Sequence, residues 1–258
     1  MKIKDVIATL EVFAPLPLQD EYDNAGLQVG LTEAEISGAL LCLDVTEQVL
    51  VEAVGKGYNL VVAHHPLLFR PLRRLSDETQ VERCVRYAVS NNLNIYAAHT
   101  NLDNAAGGVS CDLAAQLGLQ EIEFLNANNA ESGSGAIGVL LQPMAAREFV
   151  AKVKDLLGTE CVMGNALIER PISKVALCGG AGDFLLGKAI DKGADAFLTG
   201  EMHYHQYFGH EQEIQIIVAG HYQTEHHVPA LLQKMLAQKH PELPTSITTV
   251  NTNPIICL

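Results

Sequence analysis

Residues 60–66, LVVAHHP, join a short apolar run to two adjacent histidines and a proline. Four consecutive apolar residues are typical of a strand that is buried on both faces, as in a parallel sheet. Pro66 lacks the N–H that a sheet requires and favours an extended conformation at His65, so we expect the strand to end at the histidine pair. Because ligands bind beyond the carboxyl ends of parallel strands, His64 and His65 are predicted to lie at a binding site.

Strand-like and helix-like segments alternate on both sides of this stretch. Apolar runs predict strands over residues 39–43, 60–63, 93–98, 136–141, 175–178, 196–198 and 214–219. Apolar residues at helical spacing predict helices over residues 47–56, 77–90 with Ser76 as its cap, 111–117 and 145–157. Residues 121–135 contain several Asn, Ser and Gly, which is typical of a linker or a long loop. The alternation requires crossover connections and indicates a mostly parallel sheet.

The two halves of the chain share several residues in register. Cys42 has an identical counterpart in Cys178, 136 positions later, as do three residues between positions 53 and 57. The spacing His-x-x-x-acid occurs at 99–103 and again at 221–225. We therefore predict an α/β fold of two related α/β lobes that face each other, with mostly parallel or mixed sheets. The metal site is expected in the cleft, at the carboxyl ends of the strands.

The predicted lobes span residues 1–125 and 126–258, and the C-terminal segment of the second lobe is able to return to the first. Five potential metal ligands follow predicted strands: His64, His65 and Asp103 in the first lobe, and His221 and Glu225 in the second. Imidazoles and carboxylates without thiolates suit two divalent ions per chain and leave Zn, Fe, Mn, Ni and Co open. Two ions about 3.5–4 Å apart can share a hydroxide that attacks a substrate. We expect Glu225 to bridge them and Asp103 to be a terminal ligand.

Each part of this pattern also has a simpler interpretation. An isolated pair of adjacent histidines is as often solvated as bound to a metal, and Glu225 suits the first turn of a helix, where the dipole favours a carboxylate. Pro229 would crowd the carbonyl of Glu225 in an established helix, so the helix is predicted to begin near Glu225 or to be kinked there. The presence of histidines and carboxylates at several strand ends together favours metal ligation.

Four further polar residues are candidates of second rank: His99, Glu201, His203 and His205. His99 lies four residues before Asp103 and can orient a metal ligand or donate a proton. The other three follow a predicted strand and can line the same cleft. For each of them a polar loop residue without a role at the site is an equally good interpretation, so no catalytic side chain is assigned.

Residues 182–188, GDFLLGK, fit the G-x-x-x-x-G-K spacing of a phosphate-binding loop. Ala189 occupies the position of the Ser or Thr that such loops use for Mg²⁺, and Asp183 would repel a phosphate. The apolar residues that follow Asp183 indicate the start of a packed helix. A nucleotide-binding module that uses the glycine-rich residues 179–182 is retained as a third functional hypothesis.

The composition argues against several classes of partner. The formal charge is −13, from 30 acidic and 17 basic residues, which disfavours binding to nucleic acid. Six cysteines lack any C-x-x-C spacing, and several lie in apolar runs, so buried free thiols are expected. Charged residues interrupt the N-terminal segment, and no apolar run approaches the ~20 residues of a membrane-spanning helix. We expect a cytoplasmic protein with no membrane partner.

The chain resembles the dinuclear-metal proteins known as GTP cyclohydrolase 1 type 2 homologues. The resemblance extends over nearly the whole sequence, and the segments that match are NAGLQVG (24–30), VAHHP (62–66), AHTNLD (98–103), LTGE (198–201) and GHYQTE (220–225). It implies that His64, His65, Asp103, His221 and Glu225 bind the metals, with Glu225 shared between both ions. It also implies a toroidal homohexamer. Residues 121–140 leave no room for the extra domain of longer members, so the chain resembles the short form.

A metal-dependent hydrolase is the leading functional hypothesis, with a metal-bridging hydroxide as nucleophile and an unknown small molecule as substrate. A GTP cyclohydrolase-like reaction follows from the family resemblance alone, because fold does not determine function. The alternative is a non-catalytic metal-binding or scaffold hexamer, which is favoured by the absence of a recognisable substrate-binding motif beside the ligands.

Overall fold

The computed structural model describes residues 1–256, which form helices around two separate sheets. The strands are β1 (Gly26–Val29), β2 (Ala39–Cys42), β3 (Leu60–Ala63), β4 (Asn94–Ala97), β5 (Leu119–Ala127), β6 (Gly133–Met144), β7 (Met163–Gly164), β8 (Ile172–Cys178), β9 (Ala196–Thr199), β10 (Gln215–Val218) and β11 (Thr245–Ile247). The helices are α1 (Ile3–Phe13), α2 (Glu47–Gly55), α3 (Gln80–Ser90), α4 (Thr100–Asp103), α5 (Val109–Gln116), α6 (Ala146–Leu157), α7 (Leu186–Asp191), α8 (His221–Glu225) and α9 (Val228–Lys239).

The chain divides into two compact units. Unit 1 comprises Met1–Leu102 and His227–Ile256, and unit 2 comprises residues 103–226. These boundaries differ from the predicted lobes 1–125 and 126–258. The difference has a physical cause: α5 packs against β5 and β6 of unit 2, whereas α9 packs against α1, β2 and β11 of unit 1. The return of the C-terminal segment to unit 1 was allowed by the sequence prediction, whereas the placement of residues 103–125 in unit 2 was not expected.

Unit 1 is built on a five-stranded sheet with the order β1-β4-β3-β2-β11. The four strands β4, β3, β2 and β11 are parallel, and β1 pairs antiparallel with β4 at one edge. Every residue of β2, β3 and β4 is buried, as expected of parallel strands covered on both faces. Leu40, Val61 and Ile95 belong to the core that α2 and α3 cover with Leu50 and Cys84.

Unit 2 is built on a six-stranded sheet with the order β5-β6-β8-β9-β10-β7. Strands β8, β9 and β10 are parallel, while β5, β6 and β7 pair antiparallel with their neighbours. Phe149 and Val153 of α6 pack with Val175 and Leu198 in one core of this unit. A second core includes Phe197. The prediction of an α/β fold with mixed sheets is confirmed by both units.

The same parallel triplet occurs in each unit. In unit 1 the strands β2, β3 and β4 lie side by side, and in unit 2 the strands β8, β9 and β10 lie side by side in the same sequential order. A short helix follows the last strand of each triplet, α4 after β4 and α8 after β10. The two helices include the acids of the repeated His-x-x-x-acid spacing, Asp103 and Glu225. This agreement supports the internal repeat inferred from the sequence.

The prediction of a linker over residues 121–135 is wrong. Strands β5 and β6 form an antiparallel pair in which Phe124 lies opposite Ala136 and Asn126 opposite Ser134. Gly133 explains the misleading composition, because a Cβ there would lie 2.6 Å from the carbonyl oxygen of Asn126. The glycine therefore permits close approach of two strand backbones.

Two predicted helix starts also differ from the structure. Thr79, and not Ser76, caps α3: its hydroxyl accepts from Glu82 N at 3.2 Å, while Ser76 Oγ donates to the Glu82 carboxylate at 2.6 Å. Near Pro229 the chain neither kinks nor begins a helix at Glu225. Instead α8 ends at Glu225 and α9 begins at Val228, with the proline in its first turn.

The cysteines of the described chain are free, as predicted, although they are not all buried. Cys42 and Cys84 are buried, Cys111 and Cys178 are half-buried and Cys161 is exposed, while Cys257 lies outside the described residues. Burial, together with nearby negative charge, raises the pKa of Cys84 to about 11. Across residues 1–256, the helices lack the combination of length and apolar character that a membrane crossing requires.

Candidate metal centre

Three histidines of unit 1 form the first cluster, which we call the histidine half-site: His64, His65 and His99. His64 and His65 follow β3, and pairing does not stop at Ala63, because their backbone N–H groups donate to Cys42 O at 3.2 Å and Leu43 O at 3.0 Å. The strand β3 nevertheless ends at Ala63, directly before the histidine pair, as predicted from Pro66. Within the half-site, one potential ligand atom from each residue lies within 4.8 Å of the other two.

The three rings of the histidine half-site are packed against each other. The ring centroids of His64 and His65 are 4.9 Å apart, and the ring of His99 lies 5.3 Å from the first and 5.5 Å from the second. His64 is fully buried, and the other two are half-buried. Three imidazoles held this closely would repel each other if all were protonated, so the arrangement suits neutral rings beside a cation.

Each ring of this half-site is oriented by an oxygen acceptor. The Nδ1 atom of His64 donates to Ala98 O, that of His65 to Asp44 Oδ1 and that of His99 to Asp23 Oδ1, all at 2.7 Å. Because a carbonyl or an ionised carboxylate can only accept, the proton lies on Nδ1 and the lone pair of a neutral ring on Nε2. Metal-binding histidines are commonly oriented in this way.

The acceptor of His99 is itself held in place. Asp23 Oδ2 accepts from Thr100 Oγ1 at 2.5 Å and from Thr100 N at 3.0 Å, and the side chain of Asp23 is fully buried. Burial alone would raise the pKa of Asp23, but the hydrogen bonds from His99 and Thr100 outweigh it and lower the pKa to about 2. Asp23 is therefore ionised at neutral pH and gives His99 a fixed anionic partner.

A second group, which we call the carboxylate half-site, lies in unit 2. His221 and Glu225 are in contact there, and Asp103 is included because it and Glu225 both lie near Cys178. His221 and Glu225 are the first and last residues of α8, so their four-residue spacing places them on one face of the helix. His221 Nε2 lies 3.1 Å from Glu225 Oε2, and Nδ1 of the same ring donates to Glu201 Oε1 at 2.7 Å. Glu225 is buried. The pair repeats the pattern of the histidine half-site, with Nδ1 anchored and Nε2 directed at the acidic ligand.

Asp103 belongs to the same neighbourhood as Glu225. Burial raises the pKa of the Cys178 thiol to about 12, and the negative charges of Asp103 and Glu225 contribute to the same shift. The thiol is therefore uncharged at neutral pH. The three members of the carboxylate half-site offer oxygen and nitrogen donors.

Glycines that sequence reasoning did not connect with the metal ligands form the wall of this half-site. A Cβ on Gly180, which has a φ of +60°, would lie 2.3 Å from Glu225 Oε1 and 3.1 Å from His221 Nε2. A Cβ on Gly200 would lie 2.8 Å from His221 Cα. Gly180 is therefore needed for close packing against Glu225, and Gly182 for close packing against Cys178 and Thr199, which accounts for these glycines without a nucleotide.

The phosphate-loop spacing at 182–188 has a structural explanation as well. Residues Asp183–Leu185 form a 3-10 turn that leads into α7, and the carboxylate of Asp183 is hydrogen-bonded to the ring of His203. This bond raises the pKa of His203, whose side chain is 88% exposed. A carboxylate at this position disfavours a bound phosphate, as expected from the sequence.

Of the four second-rank candidates, two contact or belong to a half-site and two do not. His99 joins the histidine half-site, and Glu201 orients His221. His205 packs against the rings of Tyr204 and Phe208, with centroid distances of 5.2 and 6.2 Å, and does not belong to either half-site. His203 is paired with Asp183.

The residues present fit divalent cations. The histidine half-site supplies imidazole nitrogens, and the carboxylate half-site supplies an imidazole and carboxylates, of which Glu225 is buried. Such groups are suitable ligands for Zn, Fe, Mn, Ni or Co. Among the acceptors that hold the rings, Glu201 was a sequence candidate of second rank, whereas Asp44 was missed although it stands just after a buried strand. Asp23 had no comparable signal, because it lies in an irregular segment.

Comparison with known proteins agrees with the family resemblance seen in the sequence. A family model described as Duf34/NIF3 (NGG1p interacting factor 3) matches residues 1–254. The chain is 32% identical over 240 residues to a "GTP cyclohydrolase 1 type 2 homolog" of Clostridium acetobutylicum, covering 92% of this chain and 90% of the relative. It is 34% identical over 228 residues to a protein of the same name from Clostridium perfringens, covering 87% of each.

Solved structures share the fold over the whole chain. A hypothetical protein of Staphylococcus aureus, SA1388, superposes with a TM-score of 0.93 at 25% identity, covering 100% of this chain and 99% of the other. Reduced HcgD from Methanocaldococcus jannaschii superposes with a TM-score of 0.82 at 27% identity, covering 97% and 98%. These similarities confirm the family and the fold expected from the sequence.

Replacing Gly180 by alanine should weaken metal binding, because the new Cβ would displace the Glu225 carboxylate and strain a left-handed residue. The matched control is Gly187→Ala in α7, where an added Cβ meets nothing within 4 Å. Metal content per chain and metal affinity by titration calorimetry are the measurements. We expect loss of metal from Gly180→Ala and wild-type metal content in the control; equal metal content in both variants would contradict the assigned role of this glycine.

Removing the acceptor of His221 should also reduce metal affinity. Glu201→Ala deletes the oxygen that orients the ring, and loss of such a partner typically costs about 10–100-fold in affinity. Glu213→Ala is the control, because it deletes a carboxylate that accepts from His210 Nδ1 at the same distance of 2.7 Å outside both half-sites. Competition with a metallochromic indicator measures the difference. Similar affinities of the two variants would show that the Glu201 contact is not coupled to metal binding.

Proposed function

Since the chain belongs to the Duf34/NIF3 family, we propose that it is a metal-dependent hydrolase that acts on a small molecule. The observation that carries the proposal is the anchoring of four histidine rings through Nδ1 to oxygen acceptors at 2.7 Å, in His64, His65, His99 and His221. His210 makes the same kind of bond to Glu213 outside both half-sites. What distinguishes the rings of His64, His65 and His99 is that their centroids also lie within 5.5 Å of one another. This arrangement favours a site in which Nε2 atoms converge on cations.

In this proposal two divalent ions are held by His64, His65, Asp103, His221 and Glu225, and Glu225 is shared between both ions. The histidine half-site contributes neutral nitrogens, and the carboxylate half-site contributes negative charge that offsets the charge of the cations. Divalent cations supply Lewis acidity and lower the pKa of water, which is the chemistry that hydrolysis at neutral pH requires.

His99 is the best candidate for moving a proton. Its Nδ1 atom donates to the buried, ionised Asp23, so its tautomer is fixed and its Nε2 atom is able to accept or donate a proton. His99 would therefore exchange a proton with the substrate, while His64 and His65 hold a cation.

GTP is the first substrate to screen, because relatives at 32–34% identity bear the name GTP cyclohydrolase 1 type 2 homolog. Formate release and loss of the purine absorbance would report the reaction. The homohexamer implied by the family resemblance is part of the same proposal, and the cytoplasm is its expected location. Light scattering coupled to size-exclusion chromatography measures the mass of the assembly.

The decisive variant is Glu225→Gln, which preserves the volume of the proposed bridging ligand but removes its charge. We expect metal content to fall and any metal-dependent turnover to be lost. Glu160→Gln is the control, because Glu160 is exposed and lies outside both half-sites. Elemental analysis after purification without chelators or nickel resin, followed by hydrolase assays with the identified metal, provides both readouts.

Turnover that persists in metal-free Glu225→Gln protein would contradict the proposal. Full metal loading of the wild type without turnover on any screened substrate would instead favour the non-catalytic alternative, a protein that binds metal or serves as a scaffold. The two outcomes are separable because metal content and activity are measured on the same preparation.

A further inference from the structure

A cavity of about 440 Å³ lies in unit 1 next to His65. Its walls come from three parts of the unit: residues 44–48 after β2, the first residues of α3, and the C-terminal residues 250–254. His65 and Pro66 close the side that adjoins the histidine half-site. This volume suits a small organic molecule, and the position brings such a molecule to an imidazole that we assign to the metal centre.

Most polar side chains that line the cavity are uncharged, so they offer a ligand hydrogen bonds and not ion pairs. Five uncharged polar side chains line it: Thr46, Gln48, Gln80, Asn251 and Thr252. Among the described lining residues there is no lysine or arginine. The ionisable pair is Asp44 with His65, and both carboxylate oxygens of Asp44 already accept hydrogen bonds, from His65 at 2.7 Å and from Thr252 Oγ1 at 2.9 Å.

The side chains of the cavity disfavour an anionic ligand group. A phosphate or carboxylate in the cavity would lie near Asp44 without a cationic side chain to compensate for its desolvation. A cationic group would have to share the Asp44 oxygens with His65 and Thr252. An uncharged group that both donates and accepts hydrogen bonds meets neither obstacle.

Two side-chain amides are available for such a group. Gln48 and Gln80 are exposed, and their amides have no hydrogen-bond partner in the part of the chain that the structure describes. Each offers a carbonyl acceptor and two N–H donors, so it can accept from the N–H of a carboxamide or lactam and donate to its carbonyl. Val45, Leu67 and Val81 supply the apolar surface against which a ring can pack.

The C-terminal wall of the cavity is fixed before any ligand binds. Thr248 Oγ1 donates to Glu52 Oε2 at 2.5 Å, and Thr249 N donates to the same carboxylate at 3.1 Å. Thr252 is joined to Asp44. Because these bonds hold the segment to the body of unit 1, little ordering entropy remains to be lost on binding.

We propose that this cavity binds the uncharged amide or lactam part of the substrate and so selects neutral polar molecules over anionic ones at this position. The assignment rests on the proposed function in one respect, that His65 is a metal ligand. It extends that function by naming the chemical class that enters beside the metal centre.

The test compares nicotinamide with nicotinate. The two molecules have the same ring and similar size, but the first has an uncharged amide where the second has a carboxylate. Ligand-observed NMR titrations measure both dissociation constants on the full-length protein, metal-loaded and metal-free. We expect nicotinamide to bind about tenfold more tightly than nicotinate, a difference of about 1.4 kcal/mol. In the double variant Gln48→Lys with Gln80→Lys the preference should reverse, because two cations then face the ligand.

The control double variant is Gln120→Lys with Gln238→Lys, which adds the same charge at exposed glutamines outside the cavity and should keep the wild-type preference. Equal or tighter binding of nicotinate by the wild type, or no measurable binding of nicotinamide, would overturn the proposal, as would an unchanged preference in the cavity variant. Metal analysis of the same samples separates the two claims. Wild-type protein that stays metal-free yet prefers nicotinamide would contradict the proposed function and support the cavity assignment.

Discussion

Hydrogen bonds from histidine Nδ1 atoms to oxygen acceptors are the interaction on which the chemistry of this protein depends. An imidazole has two nitrogens, and without a fixed partner either tautomer and several ring rotations would be accessible. Here Ala98 O holds His64, while Asp44, Asp23 and Glu201 hold His65, His99 and His221. The lone pairs are thereby directed to Nε2, so that the rings are prepared for a cation and need not reorganise.

The oxygen acceptors differ chemically, and this difference affects how strongly each imidazole can bind a metal ion. A carboxylate partner makes an imidazole a stronger base and a stronger metal ligand than a carbonyl partner does. His65 and His221 therefore differ from His64, which is buried and bonded to a carbonyl. Asp44 has a second role, because it also accepts from Thr252 and so joins a metal-site histidine to the C-terminal segment that lines the neighbouring cavity.

The fold supplies this arrangement through parallel triplets of strands and through close backbone packing. Both triplets end in short helices at the acids of the repeated spacing. Within unit 2, glycines at 180 and 200 let the backbone approach α8 to distances that a Cβ would forbid. Because glycine has no Cβ, the backbone at these positions can lie directly against α8 and the buried Glu225 carboxylate.

Sequence reasoning identified the residues whose chemistry is visible locally. His64 and His65 were recognisable because a buried strand ends there, and His221 and Glu225 because an acid follows a histidine by one helical turn. The hairpin of β5 and β6 was missed because Asn, Ser and Gly also occur where strand backbones approach closely. The return of the C-terminal segment to unit 1 was foreseen as an option, but the boundary at residue 103 was missed because it depends on the packing of α5 against β5 and β6.

The most direct test of the central claim is anomalous diffraction from crystals of the metal-loaded protein, collected on both sides of the absorption edge of the bound metal. The account predicts anomalous peaks in contact with Nε2 of His64, His65 and His221 and with the Glu225 carboxylate, while every Nδ1 atom keeps its oxygen acceptor. Metal bound through Nδ1, or anomalous peaks confined to residues outside the two half-sites, would contradict it.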